Sequence, residues 1–148
     1  MTELLEQPVT ATERSAAQVL VVEDNLVNQR VSVAMLRRLG FEVDLACNGE
    51  EGVSKWENGD YDAIIMDCQM PVLDGYSATA QIRDRERSEG NGRHMPIIAL
   101  TAHALPHDRQ KCLDSGMDDY LTKPVDCKVL GIVLHKWVGR ETVPSAQP

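Results

Sequence analysis

The sequence predicts an α/β fold: an open, doubly wound, five-stranded parallel sheet with helices on both faces. Three observations predict it. Short apolar runs, most of them rich in Val and Ile, alternate with stretches of helical spacing, five times in 148 residues. Several of those runs are continuous rather than alternating, as expected of parallel strands buried on both faces. Five βα units in so short a chain suit an open sheet, because a closed eight-stranded barrel takes about 250 residues.

The elements follow in order. Val19–Val22 is a β-branched run, read as a buried strand. From Asn25 to Gly40, apolar residues at Val27, Val31, Ala34, Met35 and Leu39 mark an amphipathic helix, and Gly40 is a natural stop. Phe41–Ala46 alternates as a strand, Gly49–Asn58 is a short helix, and Tyr61–Met66 is a third strand. Met70–Gly75 holds Pro71 and the Asp74-Gly75 pair, both turn signals, and Asp74 can cap a helix running to about Arg87. Ser88–His94 is a polar, Gly-bearing loop and Pro96–Leu100 a fourth strand. Leu105–Ser115 is a helix stopped by Gly116, and Asp119–Thr122 is a fifth strand. Asp126–Val138 is the last helix, with Val129, Leu130, Val133, Leu134 and Trp137 as its apolar face. Residues 1–17 and 141–148 lack sustained periodicity and read as flexible tails around a domain of residues 18–140.

Composition narrows the function. Hydrophobic residues are 43% and charged residues 26%, the profile of a globular domain large enough to need no disulfide or metal staple. Fifteen Lys and Arg against 23 Asp and Glu give a net charge of −8, the opposite of a duplex nucleic-acid binder. No apolar run is long enough for a membrane span, and no basic amphipathic stretch suits a membrane surface. The N-terminus has no apolar signal-peptide region, so a cytoplasmic location is expected. Cys47, Cys68, Cys112 and Cys127 form no C-x-x-C pair and read as reduced thiols.

Ligands of open parallel sheets bind outside the carboxyl ends of the strands. Glu23 and Asp24 follow the first strand, Asn48 the second, Asp67 the third, Thr101 the fourth and Lys123 the fifth. Each alone has an ordinary reading. An Asp after a strand caps a helix, a Glu-Asp pair complements a helix dipole, and a strand-end Thr bonds local backbone. Together they pool three carboxylates, one hydroxyl and one ammonium along one edge, with a local charge of −2. A divalent cation would neutralise that charge, and oxygen-only donors suit Mg²⁺ rather than zinc. An ionised Asp carboxylate needs no general base to attack phosphorus, so the set suggests phosphoryl transfer, with the cation, Lys123 and Thr101 sharing the phosphoryl oxygens.

These residues lie in four segments, VLVVEDNLVNQ (19–29), YDAIIMDCQMPVLDGY (61–76), MPIIALTAHAL (95–105) and GMDDYLTKPV (116–125). The chain resembles a response-regulator receiver domain of two-component signalling over roughly residues 18–140. Details such as E-D-N-x-x-N and M-D-x-Q-M-P-x-x-D-G resemble the receiver domains of hybrid histidine kinases. The resemblance implies the flavodoxin-like strand order 2-1-3-4-5. It implies that Asp67 accepts the phosphoryl group and that Glu23, Asp24, Asp67 and the backbone carbonyl of Gln69 hold Mg²⁺. It implies that Thr101 and Lys123 contact the phosphoryl group, that Tyr120 and Thr101 form the switch, and that the Lys123–Pro124 bond is often cis. The implied partners are a histidine kinase domain, a histidine phosphotransfer domain or both, the latter docking near Asn28 and the first helix, where Arg30, Arg37 and Arg38 are candidate docking charges. In such a phosphorelay the domain catalyses its own transient phosphorylation.

Two other functions fit less well. A haloacid-dehalogenase-type phosphatase needs D-x-D after the first strand, whereas Asp67 follows the third and is succeeded by Cys68 and Gln69. A flavin or nucleotide binder needs a Gly- or Ser-rich loop after the first strand, where Glu23-Asp24-Asn25 would repel phosphate. Cys68 beside Asp67 invites a redox role but reads better as a small buried hydrophobe. His103 could affect access of water or be inert, while His94, His107 and His135 read as surface residues.

Overall fold

The computed structural model describes residues 16–103 and 105–138, so most of the expected N-terminal tail, all of the C-terminal one and residues 139–140 lie outside the described residues. Five βα units run in sequence: β1 (Gln18–Val22), α1 (Leu26–Arg38), β2 (Glu42–Ala46), α2 (Gly49–Asn58), β3 (Ala63–Asp67), α3 (Gly75–Glu89), β4 (Ile97–Thr101), α4 (Pro106–Ser115), β5 (Asp119–Thr122) and α5 (Cys127–Val138). Every strand pairing is parallel, and the order is β2-β1-β3-β4-β5. The chain moves from β1 out to β2 and then returns past β1 to β3, which puts the topological switch point between β1 and β3.

The apolar runs of β1, β3 and β4 become the buried centre of the sheet. Leu20, Val22, Ile64, Met66, Ile97 and Ala99 pack on one face with Val53 of α2, Ala78 and Ile82 of α3, and Cys112 of α4. Val19, Val21, Ile65, Ile98 and Leu100 pack on the other with Leu36 of α1 and Leu130 and Leu134 of α5. Each fully buried aliphatic side chain contributes about 1.5–3 kcal/mol.

Four strand-to-helix loops end in side-chain caps: Asn25, Asn48, Asp74 and Asp126 accept from the N–H groups of Asn28, Glu51, Ser77 and Lys128. Gly90 and Gly116 stop α3 and α4 in the left-handed conformation. The β3–α3 loop is folded tightly on itself. Gly75 N–H donates to Cys68 C=O at 3.1 Å, and a Cβ on Gly75 would lie 2.2 Å from the Asp67 carbonyl oxygen. Val72, at φ 72°, centres a three-residue turn closed by Leu73 N–H to Pro71 C=O at 2.8 Å.

Several boundaries differ from the sequence expectation. β3 is Ala63–Asp67 rather than Tyr61–Met66. Cys68 N–H donates to Leu100 C=O at 3.0 Å and carries the ladder through Asp67, while the Tyr61 hydroxyl donates to Asp44 at 2.6 Å. β4 ends at Thr101 rather than Leu100, and Phe41 N–H returns to Leu36 C=O, closing the α1–β2 turn instead of joining β2. The inward face of α1 also differs. Gln29 and Leu36 are buried there, whereas Val27 and Val31 are 67% and 45% exposed. The helix carries two apolar stripes, and the more N-terminal one faces outward.

A buried polar cluster fixes the opposite end of the sheet. The Arg83 guanidinium donates to Glu86 at 2.8 Å, Asp118 at 2.9 Å and Gly116 C=O at 2.9 Å. Asp118 also accepts from Ile97 N–H at 2.8 Å and lies 2.7 Å from His94 Nε2, so His94, though exposed, has a partner that its surface reading did not foresee.

Candidate active site

The carboxyl edge gathers Glu23, Asp24, Asp67 and Lys123. Register explains the gathering. Val22 pairs with Met66, so Glu23 and Asp67 leave neighbouring strands at the same height. Thr101 pairs with Thr122, so Lys123 emerges one residue beyond the end of β4, and its N–H donates to Thr101 C=O at 2.8 Å. The Lys123–Pro124 peptide bond is cis.

Glu23 is fully buried at a position where a carboxylate is costly unless paired. Its N–H donates to Ala46 C=O at 3.0 Å, its C=O accepts from Gln29 Nε2 at 2.7 Å, and its Oε2 accepts from Asn25 N–H at 3.1 Å. Its Oε1 is buried without a hydrogen-bond partner, and Lys123 Nζ lies 3.8 Å away. Burial pushes its carboxyl up to about 7. The Asn25 N–H and the Lys123 charge oppose that rise, and the Asp67 carboxyl adds to it.

Asp67 is 3% exposed, and its Oδ1 accepts from Lys123 Nζ at 3.1 Å and from Gln69 N–H at 3.3 Å. Asp24 is exposed at the mouth. Oxygen atoms of Glu23, Asp24 and Asp67 lie within 4.8 Å of one another. The donors are all oxygen, and one buried carboxylate oxygen among them has no hydrogen-bond partner, which fits a hard divalent cation such as Mg²⁺.

Other strand-end residues are placed differently. The Thr101 hydroxyl is bonded locally, donating to His103 C=O at 3.1 Å and accepting from His103 N–H at 3.2 Å. Tyr120 is half-buried against the core face of α2, α3 and α4, with the Arg109 guanidinium 5.4 Å from its ring centroid. Asn48 caps α2, its side chain accepting from Glu51 N–H. Cys68 is buried with its Sγ 3.8 Å from Cys112 Sγ, and burial pushes its thiol up to about 12, so it behaves as a small hydrophobe rather than a reactive thiolate.

Sequence reasoning did not single out Gln29. Its one local signal is a polar residue seven positions before Leu36, on the stripe that faces the sheet.

The family model of the response regulator receiver domain matches residues 19–134. Hybrid signal transduction histidine kinase I of Dictyostelium discoideum is 42% identical over 132 residues, 86% of this chain and 8% of that protein. Sensor histidine kinase GacS of Pseudomonas protegens is 39% identical over 133 residues, 90% of this chain and 14% of that protein. The chain therefore spans a small part of the length of these relatives. Among solved structures, the receiver domain of a sensor histidine kinase of Pseudomonas aeruginosa PAO1, with a magnesium ion coordinated in its active-site cleft, is 53% identical. It superposes with a TM-score of 0.76, covering 84% of this chain and 99% of that one. A chain of the co-crystal of the Saccharomyces cerevisiae histidine phosphotransfer signaling protein Ypd1 with the receiver domain of Ssk1 is 39% identical, with a TM-score of 0.79, covering 88% and 94%. The match runs from β1 into α5 and takes in every strand whose end supplies the carboxylate cluster, and by it this chain belongs to the response-regulator receiver domain family.

Proposed function

We propose that the domain accepts a phosphoryl group on Asp67 from a phosphohistidine, and that Glu23, Asp24, Asp67 and the Gln69 backbone carbonyl hold Mg²⁺ in doing so. The observation that carries this reading is the buried Asp67 carboxylate, 3.1 Å from the Lys123 ammonium and within one cluster with Glu23 and Asp24. Bound there, Mg²⁺ would offset the excess negative charge and draw charge from a phosphoryl oxygen. The Asp67 side chain attacks phosphorus as its P–N bond to the donor imidazole breaks. A P–O bond forms at the carboxylate, and the departing imidazole nitrogen takes up a proton. Lys123, already placed by the β4–β5 register, stabilises charge on a second oxygen. Thr101 would serve a third after its hydroxyl leaves the His103 backbone, and Tyr120, on the neighbouring strand, would then turn inward as the switch. The chain would thus work in a two-component phosphorelay, switching conformation or passing the group to a phosphotransfer partner. Among the described residues no helix is long and apolar enough to cross a membrane, and a cytoplasmic location suits the chemistry.

The partner is a histidine kinase domain, a histidine phosphotransfer domain or both. Its docking surface includes α1, where Leu26, Val27 and Val31 are exposed beside Arg30. Incubation with acetyl phosphate and Mg²⁺ should add one phosphoryl group to the chain, and Asp67→Asn should abolish it. Undiminished labelling of that variant refutes the assignment.

A further inference from the structure

Gln29 is the one buried residue on the inner stripe of α1 that is not apolar. An amphipathic helix ordinarily presents apolar side chains to its sheet, so a buried amide needs a partner and a reason. Its partner is the Glu23 carbonyl, six residues earlier, at 2.7 Å. The same nitrogen reaches Cys47 Sγ at 3.9 Å, so one amide touches both the β1–α1 and β2–α2 loops.

That carbonyl belongs to the peptide unit joining Glu23 to Asp24. Holding it orients the backbone that aims both carboxylates. The other anchors of Glu23 are already assigned: its N–H to Ala46 and its Oε2 to Asn25 N–H. Oε1 has no hydrogen-bond partner and lies 3.8 Å from Lys123 Nζ, at the carboxylate cluster. The Asp24 side chain is exposed, so the placement of its carboxylate rests on the backbone.

We infer that Gln29 is a positioning residue for the carboxylate cluster: its side-chain amide, bonded to the Glu23 carbonyl, sets the geometry with which Glu23 and Asp24 receive Mg²⁺. This rests on the reading of the cluster as a Mg²⁺ site. Residues that orient metal ligands without touching the metal commonly change its affinity about 10- to 100-fold when replaced.

The test is Mg²⁺ binding by isothermal calorimetry on the full chain, with thermal unfolding in parallel. Gln29→Met keeps the length and loses the donor. Leu36→Val disturbs the same buried stripe without touching Glu23. Gln29→His keeps a ring N–H of similar reach. Gln29→Met should weaken Mg²⁺ by about tenfold or more, while Leu36→Val stays within about twofold of wild type despite a lower unfolding midpoint, and Gln29→His recovers most of the affinity. The inference is overturned if Gln29→Met binds Mg²⁺ like wild type, or if Leu36→Val weakens it as much. Should Gln29→Met fail to fold, Gln29→Ala, which also removes the donor, decides: a loss of about tenfold in a folded protein supports the inference, and affinity near wild type overturns it. A wild-type chain that binds no Mg²⁺, or an Asp24→Asn variant that binds it undiminished, defeats the reading of the site itself and is recognisable as such.

Discussion

At Glu23 two demands meet: the core excludes water, and the site keeps a carboxylate there. Three of its four polar atoms have hydrogen-bond partners, and the fourth, Oε1, has only the Lys123 ammonium at 3.8 Å, an arrangement that costs stability unless a further cation completes it. Asp67 is held differently, with an ammonium and an N–H on the same oxygen. Cys68, its neighbour, shares the burial but not the chemistry. With its thiol pushed up to about 12 and its surface covered, it should resist alkylation in the folded protein. Iodoacetamide should modify exposed Cys47 in the native state and reach Cys68 and Cys112 only after unfolding, as peptide mapping by mass spectrometry would show. Rapid native labelling of Cys68 would reopen a redox role for it.

Among the elements, α1 carries the most information per residue. Its inner stripe holds Gln29 and Leu36, and its outer stripe leaves Leu26, Val27 and Val31 in solvent. Scattered exposed aliphatics need no explanation, but three on one helix beside the carboxylate cluster form a small apolar patch rimmed by Arg30. Val27→Asp should therefore slow phosphoryl transfer from a phosphorylated histidine phosphotransfer domain about tenfold or more, the scale of a lost interface anchor. Labelling of Asp67 by acetyl phosphate should be unaffected. Equal slowing with both donors would place the defect in the fold rather than in docking. The β3–α3 loop contributes rigidity instead. Its Val72 turn and the close approach of Gly75 to the Asp67 carbonyl leave little room for the backbone behind Asp67 to move.

The whole molecule shows a division between its two ends. The carboxyl edge concentrates like charge, while at the opposite end the Arg83 guanidinium stands between the Glu86 and Asp118 carboxylates and pairs with both. On the β2 side, the Tyr61 hydroxyl holds the Asp44 carboxyl below its ordinary range, and burial with the Asp44 bond pushes the Tyr61 phenol above its own. The signs follow. Asp44 contributes stability that is fully present above its unfolded pKa of about 4 and is lost as pH falls through its folded value. Tyr61 contributes stability that is present below about 10 and is lost on the alkaline side. Since the Asp44 side chain is 42% exposed, Tyr61→Phe should cost only about 1 kcal/mol at neutral pH after allowance for solvent. In urea titrations that difference should hold between pH 5 and 8 and shrink below about pH 4. A difference that grows on acidification would contradict the assignment.

The number, type and order of the elements were legible because they depend on local chemistry. Val- and Ile-rich runs made the strands, Asp74 capped a helix, and Gly40 and Gly116 marked or closed helix ends. Strand ends proved less legible, since Asp67 and Thr101 join their strands through ladder partners on other segments. The candidate site was legible as a set of strand ends, because parallel topology brings every such end to one edge. Its geometry was not. Lys123 meets Asp67 across 56 residues of chain, the Thr101 hydroxyl turns to His103 instead, and Gln29 takes its role only once one of two apolar stripes on α1 is chosen for burial. By itself, then, the sequence determined the elements and the chemistry at each strand end, which short-range periodicity and residue type encode. Register, helix rotation and the pairing of buried polar atoms were decided only by the tertiary structure, because each is settled by packing between segments far apart in the chain.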